Sequence, residues 1–150
     1  MSKKAARHTQ RNSSALVWIA GLGLVAIIVA GAVLVWPTSP SATDGALPSE
    51  ISVTQAAARR DAGAFILDVR QPDEWADYHV PGSTLIPLGE LQARVNEVPR
   101  DKEIVVVCRS GNRSQTGRDI LATAGFSRVT SLAGGLKEWK AAGLPTVSGP

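Results

Sequence analysis

The sequence has 150 residues, of which 44% are hydrophobic, with a formal net charge of +3 and one cysteine. This length suits one domain with an appendage, and a single cysteine excludes an intramolecular disulfide. Four of the 16 Lys and Arg residues lie within the first 14 positions, which leaves 12 against 13 acidic residues in the rest, so a basic surface for nucleic acid is not indicated.

The chain begins with a polar, basic tail over residues 1–14, followed by an uncharged apolar run of 22 residues over 15–36. As a helix, this run would be about 33 Å long, enough to span the core of a bilayer. Basic residues precede the run, so we predict a single transmembrane helix with a cytoplasmic N-terminus and the following domain on the extracytoplasmic side, periplasmic or extracellular. A cleaved signal peptide is the alternative, although the run is longer than a typical signal-peptide core.

Residues 37–48 are rich in Pro, Ser, Thr and Gly and are typical of a linker. Residues 49–150 then alternate short apolar runs, which favour strands, with segments of helical spacing. The predicted strands are 51–53, 64–69, 83–86, 104–107 and 128–132. The predicted helices are 54–61, 72–77, 89–98, 114–124 and 136–142. Thr54 is the predicted N-cap of the first helix. This alternation predicts an α/β domain with a mainly parallel sheet flanked by helices.

Cys108 directly follows the strongest predicted strand, 104–107, and is separated by a short polar loop from the helix predicted to begin at Ser114. Ligands of open parallel sheets bind at the carboxyl ends of the strands. The thiol is therefore predicted to lie at the edge of the sheet where ligands are expected to bind. The alternative is that this lone cysteine is only a small, buried apolar residue.

The loop after Cys108 is predicted to form a cradle for anions. It must turn back within a few residues, and Gly111 supplies the backbone freedom for that turn. Inward backbone N–H groups and the helix N-terminus would favour the thiolate, the nucleophilic form of cysteine. The predicted substrate-binding residues are Arg109, Ser110, Gly111, Asn112, Arg113 and Ser114. The two arginines would orient an anionic substrate through charge-assisted hydrogen bonds.

Four segments, in chain order, resemble the motifs of a single-domain rhodanese. They are LDVR at 67–70, EWADYHVPGS at 74–83, CRSGNR at 108–113 and LAGGLKEW at 132–139. Each is weak alone, but all four together are specific. The resemblance extends over about residues 49–147 and does not cover residues 1–48.

The resemblance implies a rhodanese-like fold and a sulfurtransferase that moves sulfane sulfur from an anionic donor, such as thiosulfate, to a thiol or another thiophilic acceptor. Cys108 would be the catalytic residue and would carry the sulfur as a persulfide. The resemblance also implies a structural role for Asp68 near the loop, and we interpret Arg70 and His79 as structural too. No cofactor is indicated, and one cysteine with two distant histidines does not favour a metal site.

Two other functions are compatible with the same residues. A membrane-tethered carrier would hold the persulfide for a partner without rapid turnover of its own. A cysteine-dependent phosphatase or arsenate reductase would use a related loop, but such loops typically separate Cys and Arg by five residues. Cys108 and Arg113 are separated by four, which favours sulfur transfer.

Overall fold

The computed structural model of the protein describes residues 47–149. The predicted basic tail, the predicted transmembrane helix and most of the predicted linker lie outside the described residues. Within 47–149, no helix combines the length and the apolar character needed to cross a membrane. The prediction of a membrane span at 15–36 therefore stays a prediction.

In the described part of the chain, five strands form one sheet in which every neighbouring pair is parallel, in the order β1-β5-β4-β2-β3. The strands are β1 Glu50–Ile51, β2 Phe65–Asp68, β3 Thr84–Leu85, β4 Ile104–Val107 and β5 Val129–Leu132. This arrangement confirms the predicted α/β fold with a parallel sheet. The longest strands, β2, β4 and β5, lie side by side, so their carboxyl ends meet at one edge of the sheet.

The central strand β4 is buried along its whole length. Its side chains alternate between the two faces of the sheet: Ile104 and Val106 pack in one hydrophobic cluster, and Val105 and Val107 pack in the other. A parallel strand covered on both faces needs a continuous apolar sequence rather than an alternating one. The run IVVV meets that need with β-branched residues that favour the strand conformation.

Within residues 47–149 there are five α-helices and one short 3₁₀-helix, and the last α-helix follows the last strand. The α-helices are α1 Val53–Asp61, α2 Pro72–Asp77, α3 Leu88–Leu91, α4 Asn112–Thr123 and α5 Gly135–Ala141, and the 3₁₀-helix is Val95–Glu97. Leu121 of α4 packs with Val106 on one face of the sheet, whereas Leu136 and Trp139 of α5 pack with Val105 on the other. The helices thus cover both faces, as predicted.

Two predicted helix starts were wrong. The first helix is capped by Ser52 rather than by Thr54, because Ser52 and Gln55 form a reciprocal capping box, with hydrogen bonds of 2.9 and 3.3 Å. The predicted strand at 51–53 is correspondingly shorter. The helix after the cysteine begins at Asn112 rather than at Ser114, because Gly111 already reverses the backbone.

The single helix predicted over 89–98 was also wrong. The structure has the short helix α3, a turn and the 3₁₀-helix in its place. Val98 precedes a proline, which disfavours helical backbone, and it is extended, with φ −85° and ψ 127°. Leu91 and Val98 are nevertheless both buried. The apolar spacing therefore predicted their burial correctly, but it also predicted one regular helix, which the structure does not have.

Candidate active site

Cys108 lies at the carboxyl end of β4, immediately before the loop that leads into α4, and only 1% of the residue is exposed. Its neighbour in the sheet is the end of β2, where Asp68 is in register with Val107. The structure therefore brings Cys108 and the Asp68 region together at one edge of the sheet.

The sulfur atom has two polar neighbours within the described residues. The Gly111 N–H donates a hydrogen bond to Sγ at 3.2 Å, and Ser114 Oγ lies 3.7 Å from Sγ. Ser114 donates its own hydroxyl proton to the Gly111 carbonyl at 2.6 Å. Gly111 has a φ of +102°, a conformation that side chains disfavour. The Gly111 amide, at the N-cap of α4, and the Ser114 hydroxyl, in its first turn, thus lie next to the sulfur.

Two backbone carbonyls at the start of the same loop accept hydrogen bonds from amides of α5. The Leu136 N–H donates to the Cys108 carbonyl at 2.8 Å, and the Lys137 N–H donates to the Arg109 carbonyl at 3.1 Å. Gly135, with a φ of +62°, lets the two backbones approach this closely, because a Cβ there would lie 2.6 Å from the Ser110 amide nitrogen. The Gly-Gly pair was predicted only as part of the 132–139 motif, and this contact was not predicted.

Arg113 is bound to Glu74 of α2 through two parallel hydrogen bonds. Nη1 donates to Oε2 at 2.7 Å and Nη2 donates to Oε1 at 2.8 Å. These hydrogen bonds from Arg113 are the main reason why the pKa of Glu74 falls to about 2, and the same pair raises the pKa of Arg113. Glu74 was not predicted as a site residue. Its position in the 74–83 motif was the only signal available.

A buried ion pair joins β2 to α2. Asp68 and Arg70 are 0% and 1% exposed, and Arg70 donates to both carboxylate oxygens at 2.7 to 3.0 Å. The remaining donors of Arg70 reach the carbonyls of Glu74 at 3.0 Å and Tyr78 at 2.6 Å. A buried pair is tolerated when all its hydrogen-bonding groups are used in this way. Arg70 therefore fixes α2, and with it Glu74, against the sheet.

His79 is buried and binds α2 and the C-terminal segment. Its ring stacks on that of Trp75, with centroids 3.7 Å apart, and its Nδ1 lies 3.1 Å from the Trp75 carbonyl. Its backbone pairs with that of Val147. His79 is therefore held by α2 and the C-terminal segment, and its structural role stays a prediction.

Three predicted loop residues, Arg109, Ser110 and Asn112, are exposed. Their side chains make no hydrogen bond within residues 47–149. Arg109 borders a cleft of about 310 Å³. The cleft is lined by Arg70, Asp73, Glu74, Asp77, Tyr78 and Arg109. No group of three His, Cys, Asp or Glu side chains in the described part of the chain is arranged to hold a metal ion.

Comparison with known proteins agrees with this geometry. The model of the rhodanese-like domain family matches residues 52–142. The chain belongs to the rhodanese-like domain family. A crystal structure of a rhodanese-related protein from Thermoplasma volcanium has a TM-score of 0.63 to this rhodanese-like domain at 30% identity, covering 67% of this chain and 98% of that one.

Two curated relatives of the rhodanese-like domain have names that refer to sulfur chemistry. The thiosulfate sulfurtransferase GlpE of Pseudomonas syringae is 38% identical over 86 residues, 57% of this chain and 81% of that protein. A Bacillus subtilis protein named "Putative sulfur carrier protein YrkF" is 38% identical over 79 residues, 53% of this chain but only 43% of that protein. One of these names refers to sulfur transfer and the other to sulfur carriage.

We expect Gly135→Ala to displace the cysteine loop of the rhodanese-like domain. The new Cβ would meet loop backbone at 2.6 and 2.7 Å from Ser110 N and Arg109 C, which cannot rotate away. Gly143→Ala is a matched control, because Gly143 also has a positive φ, +69°, but nothing lies within 4 Å. Thermal unfolding should show a loss of about 1 kcal/mol for the control and a clearly larger one for Gly135→Ala. Equal losses would contradict the contact.

We expect Glu74→Gln to destabilise the domain in a pH-dependent way. Glu74 has a folded-state pKa of about 2 against an ordinary value near 4.5, so its charge stabilises the fold above pH 4.5 and this contribution is lost as the pH falls towards 2. Denaturant unfolding of wild type and variant should differ by about 1–3 kcal/mol at pH 7 and by less at pH 3. A difference that does not change with pH would show that the carboxylate charge is not responsible.

Proposed function

We propose that the protein is a sulfurtransferase that carries sulfane sulfur as a persulfide on Cys108. The observation that supports this most directly is the position of Sγ: it belongs to the single cysteine of the chain, lies at the carboxyl edge of the sheet and accepts the Gly111 N–H at 3.2 Å. An amide and a helix N-terminus stabilise a thiolate, and they stabilise an anionic persulfide in the same way.

The proposed reaction has two displacement steps. The Cys108 thiolate attacks the outer sulfur of an anionic donor such as thiosulfate, a Cys–S–S bond forms, and the donor's S–S bond breaks with its electron pair leaving on sulfite. A thiophilic acceptor, such as a thiolate, then attacks the terminal sulfur of the persulfide. The Cys–S–S bond breaks, and its electron pair returns to Sγ as the thiolate.

The loop residues have different proposed tasks in this reaction. Residues 109–114 would bind the donor, with the Gly111 amide on the sulfur that carries the charge. Ser114 Oγ lies 3.7 Å from Sγ and is bound to the Gly111 carbonyl, so it packs beside the reacting atom. Asp68, Arg70 and His79 would act through structure, because their hydrogen bonds go to β2, α2 and the C-terminal segment.

A persulfide carrier without rapid turnover is the second candidate, and the burial of Cys108 together with the name of the Bacillus subtilis relative favours it. The two functions differ in the second step only. A stable sulfur adduct with negligible transfer from thiosulfate to cyanide would favour the carrier. A phosphatase is disfavoured by the length of the loop, because four residues separate Cys108 from Arg113, whereas phosphatase loops typically have five.

Cys108→Ser should abolish sulfur transfer and leave the fold unchanged, since the side chains are nearly isosteric. Incubation with thiosulfate followed by mass spectrometry should add about 32 Da, one sulfur atom, to the wild type and nothing to the variant. Unchanged thermal unfolding of the variant is the control. Transfer that survives in Cys108→Ser, or sustained hydrolysis of a phosphoester by the wild type, would refute the assignment.

We also propose that residues 15–36 anchor the chain in a membrane and that the rhodanese-like domain lies on the extracytoplasmic side. The support is the uncharged run of 22 residues and the basic residues Lys3, Lys4, Arg7 and Arg11 before it. This location is separate from the sulfur chemistry, which does not depend on it.

A reporter that is active only outside the cytoplasm should give a signal when fused after Pro150 and none when fused after residue 14. The chain should stay in the membrane pellet after alkaline washing. A cytoplasmic signal from the C-terminal fusion would reverse the orientation. A released extracytoplasmic chain that lacks its N-terminus would instead support a cleaved signal peptide.

A further inference from the structure

The C-terminal strap, residues 144–149, runs from α5 to α2. At its start, the Pro145 carbonyl accepts a hydrogen bond from Trp139 Nε1 of α5 at 3.0 Å. Further along, the backbones of Val147 and His79 exchange two hydrogen bonds, at 2.8 and 2.9 Å. The strap therefore connects the two helices that hold the cysteine loop from its opposite sides.

The strap also supplies hydrogen bonds to the end of α2. The last carbonyls of a helix have no partner within the helix itself. The Gly149 N–H donates to the Ala76 carbonyl at 2.9 Å, and Ser148 Oγ donates to the Asp77 carbonyl at 2.7 Å. Since α2 has only 6 residues, too few for a helix that is stable by itself, its position depends on such contacts.

Arg70 and the strap together determine where α2 lies. Arg70, which is buried, binds the carbonyls of Glu74 and Tyr78 at 3.0 and 2.6 Å. The strap binds the two carbonyls that lie between them. Val147 of the strap is 43% exposed, so this second support can be altered without opening the hydrophobic core.

The helix held in this way carries the carboxylate that binds the cysteine loop. Glu74 accepts hydrogen bonds from both terminal nitrogens of Arg113, at 2.7 and 2.8 Å. Two parallel hydrogen bonds of this kind are directional, so a shift of α2 moves the guanidinium. The hydrogen bonds with Glu74 are the main reason why the pKa of Arg113 is raised, and the electrostatic interaction with Cys108 contributes to the same rise. The position of α2 therefore affects the charges beside the sulfur.

We propose that the C-terminal strap positions Glu74 and, through the Glu74–Arg113 pair, sets the rate at which Cys108 takes up sulfur. This inference rests on the proposed sulfurtransferase function and concerns its first displacement step. It assigns a positioning role to residues that follow the part of the chain matched by the family model, 52–142. The strap acts through α2 and does not contact the reacting atoms.

The test measures the single-turnover rate of sulfur uptake from thiosulfate by the full-length protein in detergent. Val147→Pro removes the N–H that donates to the His79 carbonyl at 2.9 Å. It should slow uptake about 10-fold. Val147→Thr is the conservative control, because it keeps the β-branched shape and both backbone hydrogen bonds, and it should retain the wild-type rate. Ser148→Ala removes only the hydrogen bond to the Asp77 carbonyl and should slow uptake about 2- to 10-fold.

A second comparison separates positioning from stability. Each strap variant is combined with Glu74→Ala, which removes the pair through which the strap acts. Val147→Pro should then slow uptake in the wild-type background but not in the Glu74→Ala background, whereas the unfolding temperature should fall in both. A chain that ends at Thr146 keeps the hydrogen bond between Trp139 and Pro145 and should behave in the same way. Long incubation followed by mass spectrometry gives a rate even where uptake is slow.

The outcomes separate the two levels of the proposal. A wild type that takes up sulfur from neither thiosulfate nor polysulfide would refute the sulfurtransferase function itself. The strap has no positioning role if the wild type is active but Val147→Pro and Ser148→Ala keep its rate. The same conclusion follows if they slow uptake equally with and without Glu74, or if Glu74→Ala is as fast as the wild type. In these cases the sulfurtransferase function stands.

Discussion

The loop between β4 and α4 is fixed by contacts on both of its sides, and the rest of the site depends on that constraint. On one side, the first amides of α5 bind the carbonyls of Cys108 and Arg109. On the other, Glu74 holds Arg113. Within the loop, the Gly111 N–H is directed at the sulfur and the Gly111 carbonyl accepts a hydrogen bond from Ser114. The carbonyls of Cys108 and Arg109 and the side chain of Arg113 are held by α5 and α2, which are distant in the sequence.

The buried pair of Asp68 and Arg70 connects this support to the sheet. Removing two charges from water costs several kcal/mol, and only complete hydrogen bonding offsets that cost. Arg70 uses its donors on Asp68 and on two carbonyls of the α2 region, so the pair acts as a rigid connection between β2 and α2. Arg70 binds the backbone carbonyl of Glu74, and Arg113 binds its side chain, so Glu74 is held at both points. The orientation of Arg113 therefore depends on the ion pair at the end of β2.

Local sequence signals predicted the sheet and the position of the sulfur, but not the contacts that hold the loop. The strand at 104–107 was predicted residue for residue, because four consecutive β-branched residues have few alternatives in a buried parallel sheet. Glu74 and Arg113 are 39 residues apart in the sequence. The periodicity of apolar residues cannot predict a contact between side chains that far apart along the chain. The error at 89–98 has another origin, since apolar spacing predicts burial and not the type of backbone. Leu91 and Val98 are both buried, yet α3 ends at Leu91, and Val98, which precedes a proline, is extended.

The pairing of Glu74 with Arg113 has a chemical consequence under the proposed function. The site would admit an anionic donor and release an anionic product such as sulfite in each cycle. Binding the substrate and the transition state equally tightly lowers KM without raising kcat. A guanidinium whose two terminal nitrogens already bind a carboxylate attracts free anions less strongly than an unpaired one. The pair can therefore hold the cysteine loop without retaining the anionic product beside the sulfur.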